Sequence, residues 1–191
     1  GHGVPGGFMS MLGNSLLNEI VLEKKITEPG EVLDMLRVKI IMALKQETAV
    51  AGVRMQDGMD MNFCRIDTVN NVLHYAAANN PLWLVRGDQL IEFPADKQPV
   101  GVSATDIVQF SQREIKLQKG DAIYSFTDGY ADQFGGEKGK KFKYKQLEDL
   151  LLSNAGRSMP EQKEALTLAM DNWVQGYDQV DDILIIGIRI S

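Results

Sequence analysis

The run Ile183-Leu184-Ile185-Ile186-Gly187-Ile188-Arg189-Ile190 constrains the fold most. It is nearly all apolar, far shorter than the ~20 residues of a membrane span, and reads as a strand covered on both faces. Helical patterns near 144–153 and 160–175 separate it from the strand pattern Ala122 to Thr127. A strand that follows two helices has to return across a sheet already formed. It is therefore predicted to be a central strand, and it makes Asp181 and Asp182 neighbours of residues distant in sequence.

The earlier chain supplies the rest of that sheet. Phe8, Leu12, Leu16 and Ile20 recur every four residues, so residues 5–25 read as a helix. A second helix is predicted over 28–45, capped by Thr27, with Pro29 in its first turn. Glycines at 3, 6, 7 and 13 weaken the first helix, which predicts that this helical pair is a movable element. Met59, Met61 and Phe63 alternate with Asp60 and Asn62 as in a strand. Val72 to Ala78 is a second strand, and Gly87-Asp88 joins Leu82–Arg86 to Gln89–Phe93 as a hairpin. A strand near 107–117 precedes Ala122–Thr127, and the glycine- and lysine-rich residues 133–142 read as a loop. Ser158 can cap the helix that follows it. Two helices, hairpin-connected strands, two helices and a final strand make an α+β class with layered helices and antiparallel sheets.

Composition narrows the function. At 191 residues and 44% hydrophobic, the chain reads as one domain with a real core. A net charge of −6 argues against a nucleic-acid partner. The lysines at 138, 140, 141, 143 and 145 read as a solvated loop, with docking of an acidic or phosphorylated partner as the functional alternative. Cys64 is the lone cysteine, so no intramolecular disulfide is possible, and no signal peptide or membrane-length run is seen. The expected setting is cytoplasmic, with no membrane contact by this segment.

Three places can carry chemistry. Asp128, in Phe126-Thr127-Asp128-Gly129-Tyr130, stands at a strand tip. Asp181 and Asp182 precede the final strand, with Asp178 close by. Carboxylates on rigid strand ends suit Mg²⁺ or Mn²⁺; an ordinary Asp-Gly turn and a charged strand terminus are the bland alternatives. His2, between two glycines before a helix, can donate a proton to a leaving group or be a frayed terminus.

Several segments together resemble the SpoIIE-like serine phosphatases of the metal-dependent, protein phosphatase 2C-like group. Gly1-His2-Gly3-Val4-Pro5-Gly6-Gly7-Phe8-Met9-Ser10 resembles the start of that family's first long helix. Ala76 to Leu84, with Asn79-Asn80-Pro81, resembles its Ala-Gly-His-Asn-Pro-Pro strand and turn, and Gln98-Pro99-Val100-Gly101 its Pro-Leu-Gly turn. Gly120-Asp121 followed by Thr127-Asp128-Gly129, and later Asp181-Asp182-Ile183, match its acidic motifs in order and spacing.

The resemblance implies an αββα sandwich of antiparallel sheets between helical layers. It also implies a Mn²⁺ or Mg²⁺ centre that activates water against phosphoserine or phosphothreonine on a regulatory protein in bacterial signalling. Asp128 and Asp181 match metal ligands of the family and Asp182 a helper position; His2 stays a candidate acid from its position alone. The family's bridging aspartate lies three residues before the Gly-His-Gly, and a further acidic ligand lies on an earlier strand. Residues 1–191 are thus expected to be one phosphatase domain truncated at its N-terminus, weakly active or inactive alone. An upstream sensor domain in the parent chain and a possible homodimer are further expectations. The rival reading is a non-catalytic interaction module that keeps the fold.

Overall fold

A computed structural model describes residues 3–44, 58–102 and 108–191. Along the chain come helix α1 (Gly3–Leu17), a π-helical turn (Asn18–Glu23) and helix α2 (Pro29–Ala43). Strands β1 (Gly58–Met59), β2 (Met61–Asp67), β3 (Val72–Ala78), β4 (Leu82–Arg86) and β5 (Gln89–Phe93) follow. Then come β6 (Val100–Gly101), β7 (Arg113–Lys116), β8 (Ala122–Phe126) and the one-turn helix α3 (Gly129–Asp132). Strands β9 (Phe134–Gly135) and β10 (Lys140–Lys141), helices α4 (Tyr144–Ser153) and α5 (Met159–Val174) and strand β11 (Ile185–Arg189) complete the order. The antiparallel sheets with separate helices bear out the α+β class of the phosphatase-like fold.

The chain divides into two compact units. The first comprises residues 1–81 and 94–117. Its sheet has the order β2-β3-β7, and α2 presents Val32, Leu33, Leu36 and Ile40, all fully buried, to a core with Ile20, Ala76, Ala78 and Val100. Each buried Val, Leu or Ile among them stabilises the fold by roughly 1.5–3 kcal/mol. Arg37 is also buried and donates to Asp34, Gln98 and the Val108 carbonyl, while stacking on the Phe110 ring at 4.6 Å. Helix α2 is therefore core, in contrast to the loose pair that the glycines of α1 suggest. The helix expected over 5–25 changes to π-helical winding at Asn18, and the second begins at Pro29 with Glu28, not Thr27, at the N-cap.

The second unit comprises residues 82–93 and 118–191, with sheet order β11-β8-β4-β5. Trp83, Val85, Ala122, Tyr124 and Phe126 face Leu147 and Leu151 of α4 and Met170 of α5. Ser158 caps α5 in a reciprocal capping box with Glu161, as its sequence position predicts. Gly87 takes φ 61 in the β4–β5 turn, and Arg86 pairs with Gln89 as the hairpin reading requires. Two expectations change. Residues 133–142 are not a plain loop, because β9 and β10 pair within them. Strand β11 is not central: among the described residues it pairs with β8 alone, and Leu184, Ile186 and Ile188 are exposed. An all-apolar strand signals burial on both faces only when a neighbour covers each face; here the side toward α5 is the covered one.

Candidate active site

Strand β8 delivers the first acid. Its buried residues Ala122, Tyr124 and Phe126 fix the strand, and the Phe126 ring meets Trp83 edge-on with centroids 4.6 Å apart. The chain then turns at Thr127 and Asp128 into α3, where the Asp132 N–H donates to the Asp128 carbonyl at 2.9 Å. Asp128 takes helical backbone angles (φ −70, ψ −18) and its side chain does not cap α3.

The second acidic segment lies against this turn. The Thr127 N–H donates to the Leu184 carbonyl at 3.0 Å. The Thr127 hydroxyl donates to the Asp182 carbonyl at 2.8 Å and accepts the Leu184 N–H at 3.0 Å. Gly129 closes the contact: a Cβ there would lie 2.4 Å from the Asp182 carbonyl oxygen and 3.3 Å from that of Asp181. Its glycine is thus required by close approach of backbones rather than by an unusual φ. Asp181 accepts the Asp182 N–H on its own carboxylate at 2.7 Å, and Gln179 donates to the Asp181 carbonyl at 2.8 Å. The structure therefore brings the Asp128 turn and the Asp181-Asp182 segment side by side on one end of the sheet. Sequence reasoning placed Thr127 in the Thr127-Asp128-Gly129 motif but missed its bridging role, for which its hydroxyl at the last position of the strand pattern is the signal.

Electrostatics mark the same place as acidic. Burial raises the Tyr144 phenol above its ordinary value, and Asp128, Asp132 and Glu92 push it the same way. Lys141 partly offsets this acidity through its 2.8 Å ion pair with Asp132. The lysine-rich stretch thus contributes at least one counter-charge to this end of the unit.

Asp128 and Asp181 are hard oxygen donors on adjoining backbone, which fits two places in the ligand set of Mn²⁺ or Mg²⁺. No group of three or more His, Cys, Asp or Glu able to hold a metal exists among the described residues. His2 lies outside the described residues.

Comparison with known proteins agrees with this reading of the fold. The family described as stage II sporulation protein E (SpoIIE) matches residues 1–191. The protein phosphatase 2C domain of SiaA from Pseudomonas aeruginosa is 26% identical, with a TM-score of 0.86. That match covers 100% of this chain and 72% of the SiaA chain. The phosphatase domain of SpoIIE from Bacillus subtilis, solved with a fragment of its regulatory domain, is 18% identical, with a TM-score of 0.72. This chain is covered completely there and spans about half of that one, 52%. The RsbU and RsbW domains of a Mycobacterium tuberculosis protein give 22% identity and a TM-score of 0.70, covering 99% of this chain and 49% of theirs. No curated protein matches.

Proposed function

The chain belongs to the SpoIIE family of phosphatase domains, and from that premise we propose that it forms the catalytic domain of a metal-dependent protein serine/threonine phosphatase. The substrate would be phosphoserine or phosphothreonine on a regulatory protein in bacterial signalling. Water would attack phosphorus, the bond from phosphorus to the side-chain oxygen would break, and inorganic phosphate and a free hydroxyl would leave. The observation that carries this reading is the pairing of the Asp128 turn with the Asp181-Asp182 segment through Thr127 and Gly129.

Asp128 and Asp181 would hold Mn²⁺ or Mg²⁺, which supplies an activated water and neutralises phosphoryl charge when bound. Asp182 would support them, its backbone fixed by Thr127. His2 remains a proposed proton donor to the leaving oxygen. Residues 1–191 would act as one domain of a cytoplasmic protein with a sensor elsewhere in the parent chain. No helix among the described residues is long and apolar enough to cross a membrane.

One observation favours a second reading. A two-metal centre needs more than two carboxylates, and no group of three or more His, Cys, Asp or Glu able to hold a metal exists among the described residues. A non-catalytic module that keeps the fold would look the same at this level. Phosphate release from a phosphoserine peptide by the full-length protein, measured with and without Mn²⁺, separates the two. Release that depends on Mn²⁺ supports the enzyme; no release at any metal concentration supports the module.

A further inference from the structure

Gln133 is completely buried, yet its side chain is polar at both terminal atoms. A buried amide costs stability unless its donors and acceptor are paired. Here they are. Nε2 donates to the Asp178 carbonyl at 2.9 Å and to the Phe134 carbonyl at 3.1 Å. Oε1 accepts the Val180 N–H at 3.3 Å. Two of these bonds reach a segment more than forty residues away in sequence. Methionine would fill a similar volume without a single hydrogen bond, so packing alone does not account for an amide at this position.

The segment that Gln133 grips is the approach to Asp181. Residues 177–184 have no helix or strand of their own before β11 begins. Gln133 fixes their course at Asp178 and Val180, ahead of Asp181, and Thr127 fixes it at Asp182 and Leu184, after Asp181. Both grips belong to one short stretch of chain. Asp128 opens the single turn of α3 and Gln133 closes it, so α3 is a bracket with a carboxylate at one end and an amide clamp at the other.

The neighbouring hairpin holds that clamp in place. The Gln133 carbonyl accepts both the Phe142 N–H and the Trp173 indole N–H at 3.0 Å. Gly136 donates its N–H to the Trp173 carbonyl at 2.7 Å, and a Cβ on Gly135 would fall 2.0 Å from the same oxygen. The β9–β10 pair thus sits directly on the last turn of α5, where the chain begins its path to Asp181. Nothing in this arrangement needs Gln133 to touch a substrate.

We infer that Gln133 is a positioning residue that sets Asp181 relative to Asp128. The inference rests on the phosphatase reading, because it matters only if both carboxylates serve one ion. Partners that orient ligands from behind commonly change metal affinity by about 10–100-fold when removed.

The test compares Gln133→Met with Gln162→Met in the full-length protein. Gln162 is suitable as a control: it is buried, and its side chain pairs with the Tyr124 hydroxyl and the Arg157 carbonyl rather than with the segment that leads to Asp181. Hydrogen exchange at the Val180 and Asp182 amides, Mn²⁺ binding by titration calorimetry, and phosphopeptide kinetics are the readouts. For Gln133→Met the expected results are exchange at those amides at least ~10-fold faster and Mn²⁺ affinity at least ~10-fold weaker. The value of kcat should fall at fixed Mn²⁺, recover at high Mn²⁺, and leave the peptide KM unchanged. Gln162→Met should alter none of these beyond its effect on Tm. If Gln133→Met does not fold, Gln133→Asn, which keeps the amide but withdraws it by one methylene, takes its place. Unchanged exchange, unchanged Mn²⁺ affinity, or an equal loss in Gln162→Met would each overturn the inference. A wild-type protein that neither binds Mn²⁺ nor releases phosphate would instead remove the phosphatase reading beneath it.

Discussion

Arg86 grips Asp121 with two charge-assisted hydrogen bonds, Nε to Oδ1 at 2.8 Å and Nη2 to Oδ2 at 2.6 Å. The Gln118 N–H adds a third bond to Oδ2 at 2.8 Å. The side chain of Asp121 is 2% exposed and that of Arg86 32%. This fork joins β4 to the turn that starts β8, upstream of the strand that carries Asp128. Burial alone would raise the Asp121 carboxyl, but Arg86 and the Gln118 N–H outweigh it and hold the group below its ordinary value.

That shift predicts a pH dependence. A carboxyl depressed in the folded state adds stability that is full above its unfolded pKa of about 3.9 and is lost as pH falls through the lower folded value. Asp121→Asn should therefore cost stability near neutral pH, by about 1–3 kcal/mol, less than for a fully buried pair because Arg86 stays partly in water. The gap between wild type and variant should narrow as pH falls below ~4. Urea unfolding between roughly pH 3 and 7 checks it; a gap independent of pH would contradict the assignment.

Thr127 offers a sharper prediction about the site. Thr127→Val keeps the shape but removes the donor to Asp182 and the acceptor for Leu184. Both bonds are exposed to water, so the expected stability loss is about 0.5–1.5 kcal/mol. The loss of turnover should be larger than that stability change implies, and Thr127→Ser, which keeps the hydroxyl, should restore it. Gly129→Ala should be worse than either, since its Cβ would strike the Asp182 carbonyl. A Gly129→Ala protein with wild-type Tm would show that the two backbones do not meet as described.

How much of this was legible in the sequence depended on the range of the signal. The β4–β5 hairpin and the Ser158 cap are local, and their residues announced them. Asp128 and Asp181 stood out because acids at strand tips are conspicuous. That β11 pairs with β8 alone among the described residues was not legible, because an apolar run reports hydrophobicity and not which neighbour supplies the cover. Gln133 was also silent, and Thr127 stood in the Thr127-Asp128-Gly129 motif without a role of its own. A glutamine after a short acidic turn looks like surface until the fold brings Asp178 and Val180 to it. The burial of α2 was not legible in the glycines of α1, because the Arg37 network that fastens the second helix draws on residues distant in sequence, Gln98 and Val108.

Metal affinity is the next test. With the Asp128 turn and the Asp181 segment adjoining and no group of three or more His, Cys, Asp or Glu able to hold a metal among the described residues, residues 1–191 alone should bind Mn²⁺ only weakly. Too few hard oxygens and too little negative charge remain to replace the hydration shell of the ion. Calorimetry on the 191-residue chain should show no micromolar site. A tight site would mean that residues outside the described set complete the ligands.

The mechanism itself is tested by three substitutions in the full-length protein. Asp128→Asn keeps the size of the side chain but removes a charge and one strong oxygen donor. It should lower turnover of a phosphoserine peptide by at least ~100-fold, the scale on which disturbing a metal site acts. Asp181→Asn should behave alike, because its segment is bolted to the same turn through Thr127. Cys64 bears the only thiol and is exposed on β2, whereas the proposed reaction uses water rather than a side-chain nucleophile. Cys64→Ala should therefore leave turnover nearly unchanged. The comparison separates water activated at a metal from a thiolate nucleophile, which would form a covalent phosphocysteine and need no metal. Activity that persists in chelator and vanishes with Cys64→Ala would overturn the metal-dependent reading, whereas loss in both aspartate variants with Cys64→Ala intact would place the reaction at the end of the sheet where the Asp128 turn and the Asp181-Asp182 segment adjoin.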